Sequence, residues 1–138
     1  MSQTVKAYIA LGSNLGDREG YLAFARDKLS EQDGVTIRAL SGVDETAPLG
    51  GLDQPSYLNQ MVLVRTSLDA RKLLSICHDV ERLAGRRRST KWGSRTLDLD
   101  LVVYGAMICD LPDLVLPHPG LRDRSFWASE IARLEVYG

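Results

Sequence analysis

The chain has 138 residues, 44% of them hydrophobic and 25% charged, with 17 basic and 18 acidic side chains for a net charge of −1. That length buries a core in one domain, 1–138, without metal or disulfide staples, and the charge balance points to no nucleic-acid or membrane partner. No stretch approaches the ~20 apolar residues of a membrane span, and the opening MSQTVKAYIALGSN lacks a signal-peptide pattern. Cys77 and Cys109 fit no metal or redox spacing and are expected as reduced, mostly buried thiols of a cytosolic protein.

Val5 to Leu11 alternates and is rich in β-formers, which predicts a strand ending in the glycine-punctuated turn GSNLGD. That turn has no GK[ST] and matches no dinucleotide fingerprint, so it reads as a strand-to-helix turn capped by Asn14 or Asp17. Tyr21, Leu22, Ala25 and Leu29 then recur at helical spacing, with Gly34 as a stop. VTIRALSGVDET reads as a second strand, APLGGLDQPS as a loop, and YLNQMVLVRTSL as a third strand. DARKLLSICHDVERLAG predicts a helix with Asp69 as N-cap and Gly85 as its stop. A basic loop follows, then a strand from Leu97 to Tyr104, a tight turn at GAM and a proline-rich tail. The order βαββαβ predicts an α+β fold of ferredoxin-like type, an antiparallel sheet with both helices packed on one face.

The chemistry concentrates around the last strand. Residues two apart on a strand share a face, so Leu97, Leu99 and Leu101 point one way and Asp98 and Asp100 the other. Two same-face carboxylates need positive charge between them, either a side chain such as Arg95 or a divalent cation. The segment just before them, Gly85 to Arg95, holds five basic residues and no acid. Magnesium favours one or two carboxylates plus substrate phosphates, and phosphate transfer needs cationic side chains nearby. The acid pair and basic loop together therefore read as a polyphosphate site, against the simpler reading of a solvated loop and structural ion pairs. His118, Arg122, Arg124 and Phe126 lie close behind, and Tyr57 and Asn59, two apart on one strand, suit a flat heterocycle with a hydrogen-bonding edge.

AYIALGSNLGDRE, ETAPLGGLDQPSYLNQMV, WGSRTLDLDLVVYG and LPHPGLRDRSF occur in this order between Val5 and Phe126. In these motifs the chain resembles the 6-hydroxymethyl-7,8-dihydropterin pyrophosphokinases of folate biosynthesis. The resemblance implies transfer of an intact pyrophosphoryl group from ATP to the pterin hydroxymethyl oxygen, leaving AMP. It implies that Asp98 and Asp100 hold two magnesium ions bound with ATP, and that Arg86 and Arg95 join them as catalytic residues. Arg86, Arg88, Trp92 and Arg95 would form the loop, with its anchor, that closes over ATP. Glu81, Leu101, His118 and Arg124 would complete the ATP site. Tyr57 and Phe126 would sandwich the pterin, Asn59 would read its edge, and Thr46, Pro48, Leu49 and Trp92 would line the rest of that pocket. A cytoplasmic monomer acting on two small molecules is the corresponding expectation, and a catalytically weak or inactive pterin- and nucleotide-binding paralogue is the alternative. The family pattern runs a few residues longer between Phe126 and EIA, and further beyond it, so the chain reads as shortened at its C-terminus.

Overall fold

The computed structural model describes residues 3–47, 56–85 and 96–138. In chain order these form β1 (Val5–Ser13), α1 (Arg18–Ser30), β2 (Val35–Leu40), β3 (Asp44–Thr46), β4 (Tyr57–Thr66) and α2 (Ala70–Leu83). After them come β5 (Asp98–Tyr104), β6 (Cys109–Leu111), β7 (Leu114–Leu116) and α3 (Ser125–Leu134). The main sheet runs β2-β4-β1-β5 with every neighbour antiparallel, and short β3 adds to β4. This is the ferredoxin-like order that the βαββαβ pattern predicts.

Local chemistry sets the helix ends. The Asp17 carboxylate accepts the Gly20 N–H at 3.0 Å, and the Asp69 carboxylate accepts the Lys72 N–H at 2.8 Å. Each satisfies a backbone donor that the first turn leaves without an intrahelical partner, an effect of about 1 kcal/mol. α2 stops where Gly85 takes a φ of +78°, a conformation that costs a residue with a Cβ far more.

The sheet has two packed faces. On one, Ala7, Ile9 and Leu11 of β1, Val62 and Val64 of β4, and Leu99 and Leu101 of β5 meet Leu22, Ala25 and Leu29 of α1 and Leu73, Cys77 and Val80 of α2. On the other, Tyr8, Ala10, Met61, Leu63 and Val102 meet Trp127 and Leu134 of α3. The first two helices share a face as expected. The third covers the opposite one, in the stretch read from sequence as a proline-rich tail. Cover on both sides explains why β1 is buried without a break from Ala7 to Ser13.

The single strand predicted from Val35 to Thr46 is two strands, because Ser41 interrupts it. The Ser41 hydroxyl accepts the Met61 N–H at 2.8 Å while the Ser41 N–H donates to the Met61 carbonyl at 2.9 Å. Cys77 and Cys109 are both free thiols, and Cys109 is only half-buried, unlike the expectation for it. Among the described residues no helix is long and apolar enough to cross a membrane.

Candidate active site

Strand alternation delivers Asp98 and Asp100 to the α3 side of the sheet, while Leu97, Leu99 and Leu101 enter the core below. Register then builds a row across the sheet: Asn59 of β4 is opposite Gly12 of β1, and Gly12 is opposite Asp98 of β5. The next row is Met61, Ala10 and Asp100. The central strand therefore offers only a hydrogen and a methyl group where both flanking strands carry larger side chains. At Gly12 this leaves a groove about two strand spacings wide, roughly 10 Å, between Asn59 and Asp98; the next row closes it, since Ala10 and Met61 are buried on the α3 side.

The β5 wall is completed from the chain's C-terminal part. Opposite Tyr8 the β1–β5 register slips, leaving Val102 as an extra residue whose side chain joins the α3 face along with Val103. The Val102 carbonyl accepts the His118 N–H at 2.8 Å, which pins the chain after β7 against β5. His118 Nδ1 accepts the Gly120 N–H at 2.9 Å, so a neutral His118 carries its proton on Nε2. Nε2 stands 3.5 Å from Asp100 Oδ1, long for a direct hydrogen bond and leaving that N–H available to another oxygen. Arg124 folds back over the same turn: a Cβ added at Gly120 would lie 2.0 Å from Arg124 Nη1, so only glycine leaves the guanidinium this path.

The β4 wall is organised by a different set. Asn59 Nδ2 donates to Thr46 Oγ1 at 2.6 Å, which turns Asn59 Oδ1 toward the groove over Gly12. The Tyr57 ring lies on the same side, 3.6 Å from where a Gly12 Cβ would stand. Arg18 of α1 holds both ends of the β3–β4 connection, donating to Glu45 Oε2 at 2.9 Å and to the Ser56 carbonyl at 2.8 Å. The Phe126 ring, half-buried, packs edge-on against Trp127 at the start of α3.

Electrostatics favour a cation at the aspartates. Same-face carboxylates about 7 Å apart repel by roughly 0.6 kcal/mol in water and about 2.4 kcal/mol at an effective dielectric of 20. Asp100 is partly exposed, which keeps its oxygens within reach of a hydrated ion. Among the described residues no group of three His, Cys, Asp or Glu converges on one point. Two hard oxygen donors beside an open groove fit magnesium, which takes one or two carboxylates and completes its shell with water and phosphate.

The chain matches the family model described as 7,8-dihydro-6-hydroxymethylpterin-pyrophosphokinase over residues 8–136. It belongs to that family. A 2-amino-4-hydroxy-6-hydroxymethyldihydropteridine pyrophosphokinase of Bacillus subtilis is 40% identical over 128 residues, 93% of this chain and 77% of the relative. The enzyme of the same name from Methylorubrum extorquens is 38% identical over 130 residues, covering 94% and 82%, and that from Haemophilus influenzae 38% over 122 residues, covering 88% and 76%. The protein is a diphosphotransferase that moves pyrophosphate from ATP to 6-hydroxymethyl-7,8-dihydropterin in folate biosynthesis.

Of the residues that the pyrophosphokinase resemblance singles out, Thr46, Tyr57, Asn59, Asp98, Asp100, His118, Arg124 and Phe126 gather on or beside this α3-facing groove. Two others do not bring their side chains to it. Leu101 is 3% exposed and sits in the core under the first two helices, because the alternation that presents Asp100 turns its neighbour inward. Glu81 comes from α2 to the free edge of β5, where it accepts the Leu99 N–H at 2.8 Å. Pro48, Leu49, Arg86, Arg88, Trp92 and Arg95 lie outside the described residues. Sequence reasoning missed Gly12 and Ala10, whose signal was two small residues following Tyr8 at alternate positions on one face of β1. It also left Trp127 without a role, although Trp127, Ile131 and Leu134 repeat at helical spacing.

Proposed function

We propose that pyrophosphoryl transfer takes place in the groove between β4 and β5, with the ATP phosphates along the β5 wall and the pterin against the β4 wall. The observation that carries this reading is the row Asn59–Gly12–Asp98, in which one strand of small residues separates an amide from a carboxylate pair. Asn59 Oδ1 faces the groove as an acceptor, suited to the N–H groups on the edge of a pterin, while Tyr57 and Phe126 offer aromatic faces to its rings. Asp98 and Asp100 would hold the magnesium, as two ions bound with ATP, which when bound neutralises phosphate charge and lowers the pKa of a coordinated hydroxyl.

In the transfer, the hydroxymethyl oxygen bonds to the β-phosphorus as the bond from that phosphorus to the α–β bridging oxygen breaks. AMP leaves with that oxygen, and the hydroxyl proton is released. Such a reaction needs positioning and charge neutralisation more than covalent chemistry. His118 Nε2–H and the Arg124 guanidinium, both on the β5 side, would hold phosphate oxygens in line. The segment with Arg86, Arg88, Trp92 and Arg95 would close over the nucleotide and exclude water, with Arg86 and Arg95 supplying charge to the transition state, and Pro48 and Leu49 would line the pterin side. We take the working unit to be a cytoplasmic monomer.

The test is AMP release from ATP measured with each component omitted in turn. AMP formed only when ATP, 6-hydroxymethyl-7,8-dihydropterin and magnesium are all present is the expected result. Tight pterin binding with no AMP would replace this reading with an inactive pterin-binding paralogue.

A further inference from the structure

Trp127 is 4% exposed and sits in the α3-side core, yet its ring does more than fill volume. The His118 ring meets it in a T-shaped contact, with centroids 5.3 Å apart and planes at 82°. The Arg124 guanidinium carbon stands 4.6 Å from the Trp127 ring centroid, a cation–π distance. One indole therefore touches both phosphate-side donors of the β5 wall, the His118 ring and the Arg124 guanidinium.

Few other restraints hold these groups together. The His118–Arg124 segment is a single 3-10 turn, Pro119–Arg122, and α3 begins after Arg124 with no side-chain cap. Its backbone is tied by the His118 N–H to Val102, the Gly120 N–H to His118 Nδ1, the Leu121 N–H to the His118 carbonyl, and the Asp123 and Arg124 N–H groups to the Gly120 carbonyl. Those bonds fix the chain path and one ring nitrogen. They leave the long Arg124 side chain to be ordered by what it lies on. Trp127 is itself seated on that turn, since its backbone N–H donates to the Arg124 carbonyl at 2.9 Å.

We infer that Trp127 is a positioning residue for nucleotide binding: its indole is the platform that sets His118 and Arg124 at a fixed spacing from Asp100. The inference rests on the reading that His118 and Arg124 hold ATP phosphates. Preorganising these two donors on one rigid ring spares the ordering cost of a long side chain when the nucleotide arrives.

A binding cycle tests it. ATP with magnesium, or its non-hydrolysable α,β-methylene analogue, is titrated calorimetrically into the wild type, Trp127→Leu, the His118→Ala/Arg124→Ala double variant, and the triple variant. Trp127→Leu keeps an apolar side chain but removes the π face, and the ordering cost of one long side chain corresponds to about two- to tenfold in affinity. The expected result is a loss of that size in the wild-type background and less than about a twofold change in the double variant. Trp127→Phe, which keeps a smaller ring, should recover part of the loss, and it carries the same cycle if Trp127→Leu does not fold. Pterin affinity measured beside the analogue should move less than nucleotide affinity.

Equal weakening in both backgrounds would mean that Trp127 is only a structural core residue, and unchanged ATP affinity in Trp127→Leu would also overturn the inference. If the double variant itself weakens ATP while Trp127→Leu does not, the platform alone falls. If the double variant binds ATP like the wild type, the phosphate-side reading falls with it.

Discussion

Glu81 reaches from α2 to the backbone of β5, where its Oε2 accepts the Leu99 N–H at 2.8 Å, midway between Asp98 and Asp100. It is 7% exposed and meets β5 along the strand's free edge, where the Leu99 N–H points away from β1. A buried acid is costly unless it is well bonded, so this contact ties the start of β5 to the helix beneath it. The influence of Glu81 and Asp100 on Cys77, whose pKa is raised mainly by burial and further by those two charges, indicates how closely this part of α2 underlies the aspartate strand.

Glu81→Ala should therefore leave the Leu99 N–H without an acceptor, at a cost of about 1–3 kcal/mol. Glu81→Gln keeps an acceptor oxygen and should cost less. Urea unfolding gives the stability, and hydrogen exchange at Leu99 tells this contact from a general loss. Undiminished protection of the Leu99 amide in Glu81→Ala would show that the strand does not depend on it.

Asp98→Asn and Asp100→Asn each remove one charge from a same-face pair without changing shape. Repulsion between them falls, and thermal unfolding of each variant weighs that relief against the contacts each carboxylate makes in the folded protein. Turnover should fall by about 10²–10³, the scale seen when a group stabilising transition-state charge is removed. AMP release at saturating magnesium measures it. Near-normal turnover in either variant would remove that carboxylate from the metal site.

How much of this was readable beforehand depends on the range over which each signal acts. Alternation is local, so the opposite orientations of Asp100 and Leu101 follow from the strand alone. The α1 and α2 caps were legible for the same reason, since Asp17 and Asp69 each act within their own first turn. Periodicity fails at Val102, where the bulge puts two successive valines toward α3. Nothing in LVVY announces the carbonyl that then accepts His118. The Ser41 break is likewise set by Met61, a partner twenty residues away. α3 was hidden because it is short and lacks a side-chain cap at its start. Leu101 and Glu81 come to the site by likeness of motif alone, since a core leucine and an acid at the edge of β5 carry no signal of a ligand in their spacing.

Gly12→Ala isolates the groove floor. A Cβ there would stand 3.5 Å from Asn59 Oδ1 and 3.6 Å from the Tyr57 ring, ordinary contact distances, so the protein tolerates the methyl group. Replacing glycine inside a strand also removes an entropic cost of roughly 0.5–1 kcal/mol. Thermal unfolding should show equal or greater stability, while ligand affinity falls because the methyl group occupies the space between the two walls. A variant that is stabilised and still binds both substrates normally would place them elsewhere.

Asn59 and Thr46 should act on the pterin as a unit. Asn59→Ala removes a hydrogen bond to a neutral partner, a loss of about 1–3 kcal/mol or roughly five- to hundredfold in affinity. Thr46→Val keeps the shape at position 46 but frees the Asn59 amide to turn, so it should reproduce part of that loss. Neither change should alter ATP affinity, since both residues stand on the β4 wall. Calorimetric titration with each substrate separates the outcomes. Unchanged pterin affinity in a folded Asn59→Ala protein would withdraw the pterin from this wall.

The last prediction concerns pH. Glu130 of α3 is 3% exposed, and its Oε2 accepts the Ser41 hydroxyl at 2.9 Å. Burial pushes its pKa up to about 7; the Ser41 bond and Arg133 pull it down, while the neighbouring Asp44 carboxylate pushes it further up. These are the groups facing it from the β2–β3 connection, from β3 and from its own helix. Because its ordinary value is 4.5, the native state keeps a proton that the unfolded chain has already released between about pH 4.5 and 7. The stability this proton contributes is full below that window, declines as pH rises through it, and is gone above it. The decline is on the order of 3 kcal/mol. Glu130→Gln holds the neutral form at every pH and can still accept from Ser41. Urea midpoints taken from pH 5 to 8 should therefore fall less steeply for Glu130→Gln than for the wild type, with the variant the more stable at pH 8. Parallel curves would mean that Glu130 is ionised in the native state throughout, and that α3 is held to Ser41 by a charged carboxylate.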